Sequence, residues 1–342
     1  MKHIAVTVMV AIVIMGHTQP SNLKHYYYWI NQAELAICDS AYEKASDCYA
    51  RAFEFKAPFL RHASNAFVIN CEYVQNTERA VDCFRYLARA GEKPEWYVKD
   101  TLKYMDVWTM LCIVYDTTRS TVNLDLQESL YEIISSDQAI RKQWFEDEKD
   151  RQKAIKETDS LNLQKILLLY QQYPIISDYT AGMNPILVAP FVHFAREFSF
   201  DPYDILFNEV MKGNIDAQAY VLLEDECRCD LLNQERGIKQ TTLYGTNTTC
   251  FFVVDSVGFI VAPPDLQKVN QAREEILLSE TWEDFAKKCR CRYIDETDFV
   301  FFPLKYVYYL PEDAFRVVKE TKEKIDNGAI KGEYYVLPKE LR

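Results

Sequence analysis

Glycine and proline are scarce, at 9 and 12 of 342 residues. So small a supply excludes a loop-rich sandwich, a collagen-like repeat or a low-complexity disordered chain. There is no Gly-rich phosphate loop, dinucleotide fingerprint, serine-hydrolase elbow or zinc-protease helix motif, and the enzyme classes built on them fall away. Positive charge is also short: 39 Lys and Arg stand against 51 Asp and Glu, a net charge of −12. Nucleic-acid phosphates call for a basic face, so no nucleic-acid partner is expected. Histidine numbers 5, and His193 is the only one in the second half, which excludes a His-rich metal centre there. No complete catalytic or cofactor-binding set emerges, and no cofactor is assigned.

What is present is the balance of a globular protein with a real core, 49% hydrophobic and 26% charged. The length suits about two domains. Residues 1–18 have the anatomy of a secretory signal. Met1-Lys2-His3 is a basic start, Ile4 to Met15 is uncharged and apolar, and Gly16-His17-Thr18 precedes a cut ahead of Gln19. The apolar run is too short to span a bilayer, and no later window reaches that length. The expected product is a secreted or periplasmic protein with no membrane span in the mature chain. The first cysteine is Cys38, too late for a lipid-anchored form.

The 10 cysteines divide evenly: Cys38, Cys48, Cys71, Cys83 and Cys112, then Cys227, Cys229, Cys250, Cys289 and Cys291. An odd count in each half leaves a free thiol per half or a bridge between halves. Cys227-Arg228-Cys229 and Cys289-Arg290-Cys291 form two Cys-Xaa-Cys pairs. Export would permit disulfides between them, they can remain thiols, and four thiolates can hold a tetrahedral zinc, although zinc pairs usually sit two to four residues apart.

Along the chain, helix periodicity dominates. Ala45, Tyr49 and Ala52 fall at i, i+4 and i+7, and Ala80, Phe84 and Leu87 repeat that spacing 35 residues later. Upstream of each triplet lies another helix, where Trp29, Ala33 and Ala36 are answered by Ser64, Val68 and Cys71. Small residues let two helices approach while the aromatic fills the gap. This register resembles the tetratricopeptide repeat over about residues 26–91, with a degraded third unit reaching toward 120. Gln32 and Ala33 stand where that family has leucine and glycine. The resemblance implies a surface for a protein or peptide partner.

Beyond Leu126 the helical pattern continues without repetition through Leu161–Tyr173, Pro185–Phe198, Pro202–Met211 and Ile215–Glu226. Cys250–Val254 and Phe259–Ala262 predict a small hairpin. Tyr306–Leu310 and Tyr334–Leu337 are short strand candidates around a helix at Glu312–Asn327. The fold class expected is mainly α: helical-hairpin repeats over 19–125, then a helical domain with a small β-hairpin over 126–342.

Within the second half, Asp137-Gln138 with Arg141, then Asp159, Asn162, Tyr173-Pro174, Gly182 and His193 occur in order, followed by Tyr244-Gly245-Thr246, Pro264 and Arg273. This order resembles an uncharacterised bacterial domain of unknown function, over about residues 126–280. That family has an Asp-Arg pair after its histidine; here Asp225-Glu226 and Asp230-Leu231 lack the arginine. The marked residues suggest either a polar pocket or a hydrogen-bond network that fixes the fold. Two functions follow: an exported binding or scaffold protein using the repeats, or an enzyme with His193 as acid–base and Asp137, Arg141 and Tyr244 contacting substrate.

Overall fold

A computed structural model describes residues 20–98, 105–183, 203–225, 242–246, 250–254, 257–293, 297, 299–301 and 314–336. The chain is mainly helical, with one small antiparallel sheet.

It opens with two helical hairpins. Helix α1 (Pro20–Cys38) turns back into α2 (Tyr42–Phe55). Helix α3 (Leu60–Val68) runs on as a π-turn (Ile69–Tyr73) and returns as α4 (Thr77–Arg89). Ala45, Tyr49 and Ala52 are buried on α2, and Ala80, Phe84 and Leu87 on α4, so both triplets face the core as their spacing requires. Each hairpin turns on a non-glycine residue in the left-handed region, Ser40 at φ 55° and Gln75 at φ 57°. Those turns sit 35 positions apart, the period of the triplets. The Asn76 side chain accepts from the Arg79 N–H and caps α4.

Pro94–Trp96 is one 3-10 turn, and α5 (Met105–Thr117) follows it. Helix α6 (Leu124–Lys142) ends before Trp144, which is 77% exposed. The charged stretch after it and the apolar run from Leu161 form a single helix, α7 (Glu148–Gln172). Asp147 caps its start, and no glycine or proline interrupts it. A one-turn helix, α8 (Asp178–Ala181), α9 (Tyr203–Met211) and α10 (217–225) come next.

Strands β1 (Phe251–Val254) and β2 (Val257–Val261) form the expected hairpin, with Phe252 opposite Phe259. β3 (Gly332–Val336) adds a third antiparallel strand on the free edge of β2. Between them run α11 (Leu266–Glu275), α12 (Trp282–Tyr293) and, after residue 313, α13 (Ala314–Asp326). Val257, Phe259, Val318, Ile325 and Tyr334 make a small satellite core between the sheet and α13. Tyr306–Leu310, Pro185–Phe198 and residues 1–18 lie outside the described residues.

One apolar cluster joins both halves, from Tyr26 on α1 to Phe301. Helix α1 lies against α12, so the first hairpin is packed on the second half of the chain. No helix among the described residues is long and apolar enough to cross a membrane.

Candidate functional site

The seam between the hairpins and the second half is closed by charge. Glu34 on α1 is fully buried; its Oε1 accepts from Arg61 Nη1 at 2.8 Å and its Oε2 from Lys288 Nζ at 2.6 Å. Arg61 reaches Asp216 Oδ2 at 3.0 Å, Gln218 Oε1, and the Phe301 carbonyl at 2.6 Å. Gln218 Nε2 donates to Glu280 Oε2 at 2.8 Å, and Glu280 pairs with Arg273 at 2.8 Å and Lys288 at 3.5 Å. Arg61, Lys288 and Arg273 thus balance Glu34, Asp216 and Glu280. Burial pushes the Glu280 carboxyl up, but Lys288 and Arg273 outweigh it and hold the carboxyl low. Lys288 is the mirror case: burial pushes its ammonium down, and Glu280 and Glu34 carry it up.

His62 sits inside this network, fully buried, with Nδ1 2.6 Å from Tyr26 Oη and Nε2 2.6 Å from Arg61 Nη2. Nε2 also lies 3.2 Å from Gln218 Oε1, so this nitrogen faces a donor and an acceptor at once. Burial, then the Arg61 charge, push this imidazole well below its usual range, and it stays neutral. With every ring nitrogen engaged and no exposure, His62 holds two halves together and offers nothing to a substrate. The faces of α1 and α3 that carry Glu34, Arg61, His62 and Asn65 are covered by the chain's own residues Asp216, Gln218, Lys288, Val300 and Phe301.

Asp137 and Arg141 do come together, one helical turn apart at 2.7 Å. Arg141 also takes both oxygens of Asp159 at 3.0 Å, and Ser136 donates to Asn162 at 2.8 Å. These bonds clamp α6 to α7. Burial pushes both the Asp137 and Asp159 carboxyls up against the pull of Arg141.

Tyr244 belongs to a different group. Asp225, fully buried at the end of the described part of α10, accepts from the backbone N–H groups of Leu243 (2.7 Å), Tyr244 (2.9 Å) and Thr246 (2.8 Å). The hydroxyls of Thr242 (2.6 Å) and Thr246 (2.8 Å) complete the set. The Tyr244-Gly245-Thr246 segment is therefore a loop wound around a carboxylate. Tyr244 donates its hydroxyl to Glu224 at 3.1 Å, and its carbonyl accepts from Arg273 at 2.8 Å. Gly245 has the positive φ that its tight bend requires, +72°. Asp225 is one of the two aspartates that lack the following arginine of the resembling domain; here it is the centre around which the loop is wound.

His193, Cys227 and Cys229 lie outside the described residues. Cys289 and Cys291 are on α12, both buried. Cys289 has Cys250 in its charge environment, and the Cys38 thiol contacts Cys291, so the thiols of this Cys-Arg-Cys segment have different neighbours. No group of three or more His, Cys, Asp or Glu among the described residues is arranged for a metal ion.

An open cavity of about 290 Å³ remains where the α2–α3 turn, α8 and the turn after α9 meet. Phe59 and Ile175 give it an apolar wall, Ser177 and Thr180 bring hydroxyls, and Lys56, Arg89 and Lys212 bring positive charge. Lys212 is already paired with Glu209 at 2.6 Å. Lys56 and Arg89 have no carboxylate within ion-pair distance among the described residues. The Lys56 ammonium donates to the Ala57 carbonyl at 2.7 Å and lies 3.7 Å from the centre of the Phe59 ring. Burial pushes it down to about 8, against Asp178 and Asp216. Asp178, also on the wall, is 4% exposed; Oδ2 accepts from the Leu60 N–H, and Oδ1 has no hydrogen-bond partner. Burial pushes this carboxyl up to about 7, with the Leu60 N–H and Lys56 opposing.

Neither the Lys56–Asp178 cavity nor the Glu34 network was legible in advance. One signal was available: Glu34 shares a helix stripe with Ile30, Ala33 and Ile37, where an acid must find a buried partner. No family model, curated protein or solved structure matches the chain.

Proposed function

We propose that this is an exported binding protein, without catalysis, that takes a small ligand bearing a carboxylate or phosphate group in the Lys56–Asp178 cavity. The observation that carries the reading is the pair of cations, Lys56 and Arg89, which line an open cavity and have no carboxylate within ion-pair distance among the described residues, in a chain of net charge −12. A partly buried ammonium gains from an anion brought to it. The apolar wall of Phe59 and Ile175 suits a ligand with a short hydrocarbon body. The tetratricopeptide-like register supports a binding role in general, and the covered inner faces of α1 and α3 favour this cavity over a peptide groove. Asp137, Arg141 and Tyr244 are consumed in structural bonds, which counts against the enzyme reading built on them.

The test is calorimetric titration of the mature chain with succinate, hexanoate and inorganic phosphate at constant ionic strength. Saturable binding by one of these is expected, weakened about tenfold or more by Lys56→Gln or Arg89→Gln, the loss of one charged hydrogen bond. Thermal melts of the variants check that each is folded. Absence of saturable binding by all three probes, or equal binding by wild type and both variants, would overturn the reading. Export is tested separately, by N-terminal sequencing of the protein recovered outside the cytoplasm.

A further inference from the structure

The Lys56–Asp178 cavity has an acid on its wall as well as its cations. Asp178 is the first residue of α8 and is held by one bond, its Oδ2 accepting from the Leu60 N–H at 2.9 Å. Its Oδ1 is buried and accepts from nothing. Buried polar atoms in folded proteins nearly always have a partner, so a carboxylate oxygen left bare at a cavity marks a missing donor. The neighbouring donors on the wall are committed elsewhere. The hydroxyls of Ser177 and Thr180 meet each other and the backbone of their own turn. Thr121 donates to the Arg89 carbonyl at 3.2 Å, and Tyr179 to the Pro58 carbonyl at 2.5 Å. The Lys212 ammonium and the Asn214 amide both go to Glu209, at 2.6 Å and 2.7 Å. The donor that Asp178 lacks therefore comes from outside the chain.

We infer that the ligand of this cavity is an α-amino acid: its carboxylate meets Lys56 and Arg89, its ammonium donates to Asp178 Oδ1, and its side chain lies on Phe59 and Ile175. The inference rests on the anion-binding reading above and adds the cationic half of the ligand. One cavity of about 290 Å³ carries both the cations and the acid, so the ligand brings its two charges on one small molecule, close together. An ammonium suits Asp178 better than a hydroxyl does, because a hydrogen bond between ions is about twice as strong as a neutral one. It also supplies the counter-charge missing from a carboxyl that burial drives up to about 7.

Three six-carbon acids that differ only at the α-carbon separate the two halves of the ligand: hexanoate, 2-hydroxyhexanoate and norleucine. Each is titrated calorimetrically into the mature chain at about pH 7.5. There Asp178, at about 7, is mostly ionised and Lys56, at about 8, mostly protonated. Norleucine should bind about tenfold or more tighter than hexanoate, the worth of one charged hydrogen bond, with 2-hydroxyhexanoate between them. Asp178→Asn should weaken norleucine by about that factor and tighten hexanoate, whose carboxylate then meets no second acid. Lys56→Gln should weaken all three. Thermal melts establish that both variants fold. Hexanoate or 2-hydroxyhexanoate binding as tightly as norleucine, or norleucine affinity unmoved by Asp178→Asn, would overturn the amino-acid assignment and leave the anion site standing. Binding of none of the three also overturns it, and the failure of inorganic phosphate as well removes the anion site.

Discussion

Lys288 and Glu34 are 254 residues apart in sequence, and their charged ends meet at 2.6 Å with neither side chain exposed. A pair this deep is held by its geometry, because each ion gave up hydration worth several kcal/mol. Losing one partner is therefore far worse than losing both. Lys288→Met leaves Glu34 and Glu280 facing one another without that cation, and should cost about 3–5 kcal/mol in urea unfolding. Adding Glu34→Gln to it should recover part of the loss, with a coupling of about 1–3 kcal/mol. A Lys288→Met protein within 1 kcal/mol of wild type would mean that water reaches this seam.

His62 supplies a pH signature for the same seam. Its folded pKa lies well below the usual 6.5, because burial and then Arg61 oppose the imidazolium. As pH falls below about 6.5, the unfolded chain gains a proton that the folded one refuses. Stability is lost in that window and is fully present above it. The slope attributable to one such group is about 1.4 kcal/mol per pH unit. His62→Gln should flatten the fall of unfolding free energy between pH 6.5 and 5 by roughly that slope. Parallel curves for wild type and variant would contradict a neutral His62.

The helical architecture was legible because it rests on local patterns. The triplets around Tyr49 and Phe84 announced their helices, and a stretch rich in Thr, Val and Phe announced β1 and β2. Gly245 was legible too, since a bend beside Tyr244 needs a residue free of a Cβ. The candidate site was not. Asp137 and Arg141 were paired correctly from their spacing, but Asp159, which consumes the arginine, comes from a different helix. Lys56, Arg89 and Asp178 are ordinary surface-type residues in sequence. Only the meeting of three distant turns makes a cavity of them, and no periodicity encodes that.

Asp178 carries the second pH signature, with the opposite sign. Its folded carboxyl is pushed up to about 7 from 3.8. Between those values the folded state keeps a proton that the unfolded state releases, so raising the pH through that window costs stability. The cost is complete above about pH 7 and absent below about 4. Asp178→Asn keeps an oxygen for the Leu60 N–H and removes the charge. It should stabilise the protein by about 2–4 kcal/mol at pH 8 and by only about 1 kcal/mol at pH 4.5. Unfolding titrations at those two pH values decide it, and destabilisation at pH 8 would mean that the carboxylate has a stronger partner than Lys56.

Gly245 and Gly91 separate backbone strain from steric exclusion. Both have positive φ, +72° and +81°. A Cβ at Gly91 would find its nearest neighbour, Val122, at 3.7 Å, ordinary contact. One at Gly245 would fall 2.4 Å from Trp282 Cδ1, a ring held in place by its own Nε1 donating to the Gly245 carbonyl at 3.0 Å. Gly91→Ala should therefore cost only the left-handed penalty, about 1 kcal/mol. Gly245→Ala must also move Trp282, and should cost about 3 kcal/mol or more. The displaced indole provides a direct readout, since its fluorescence should shift to the red in Gly245→Ala and stay unchanged in Gly91→Ala. Equal costs for the two alanines would show that the 242–246 loop can leave Asp225 without penalty, and that the five bonds converging on that carboxylate do not fix the loop.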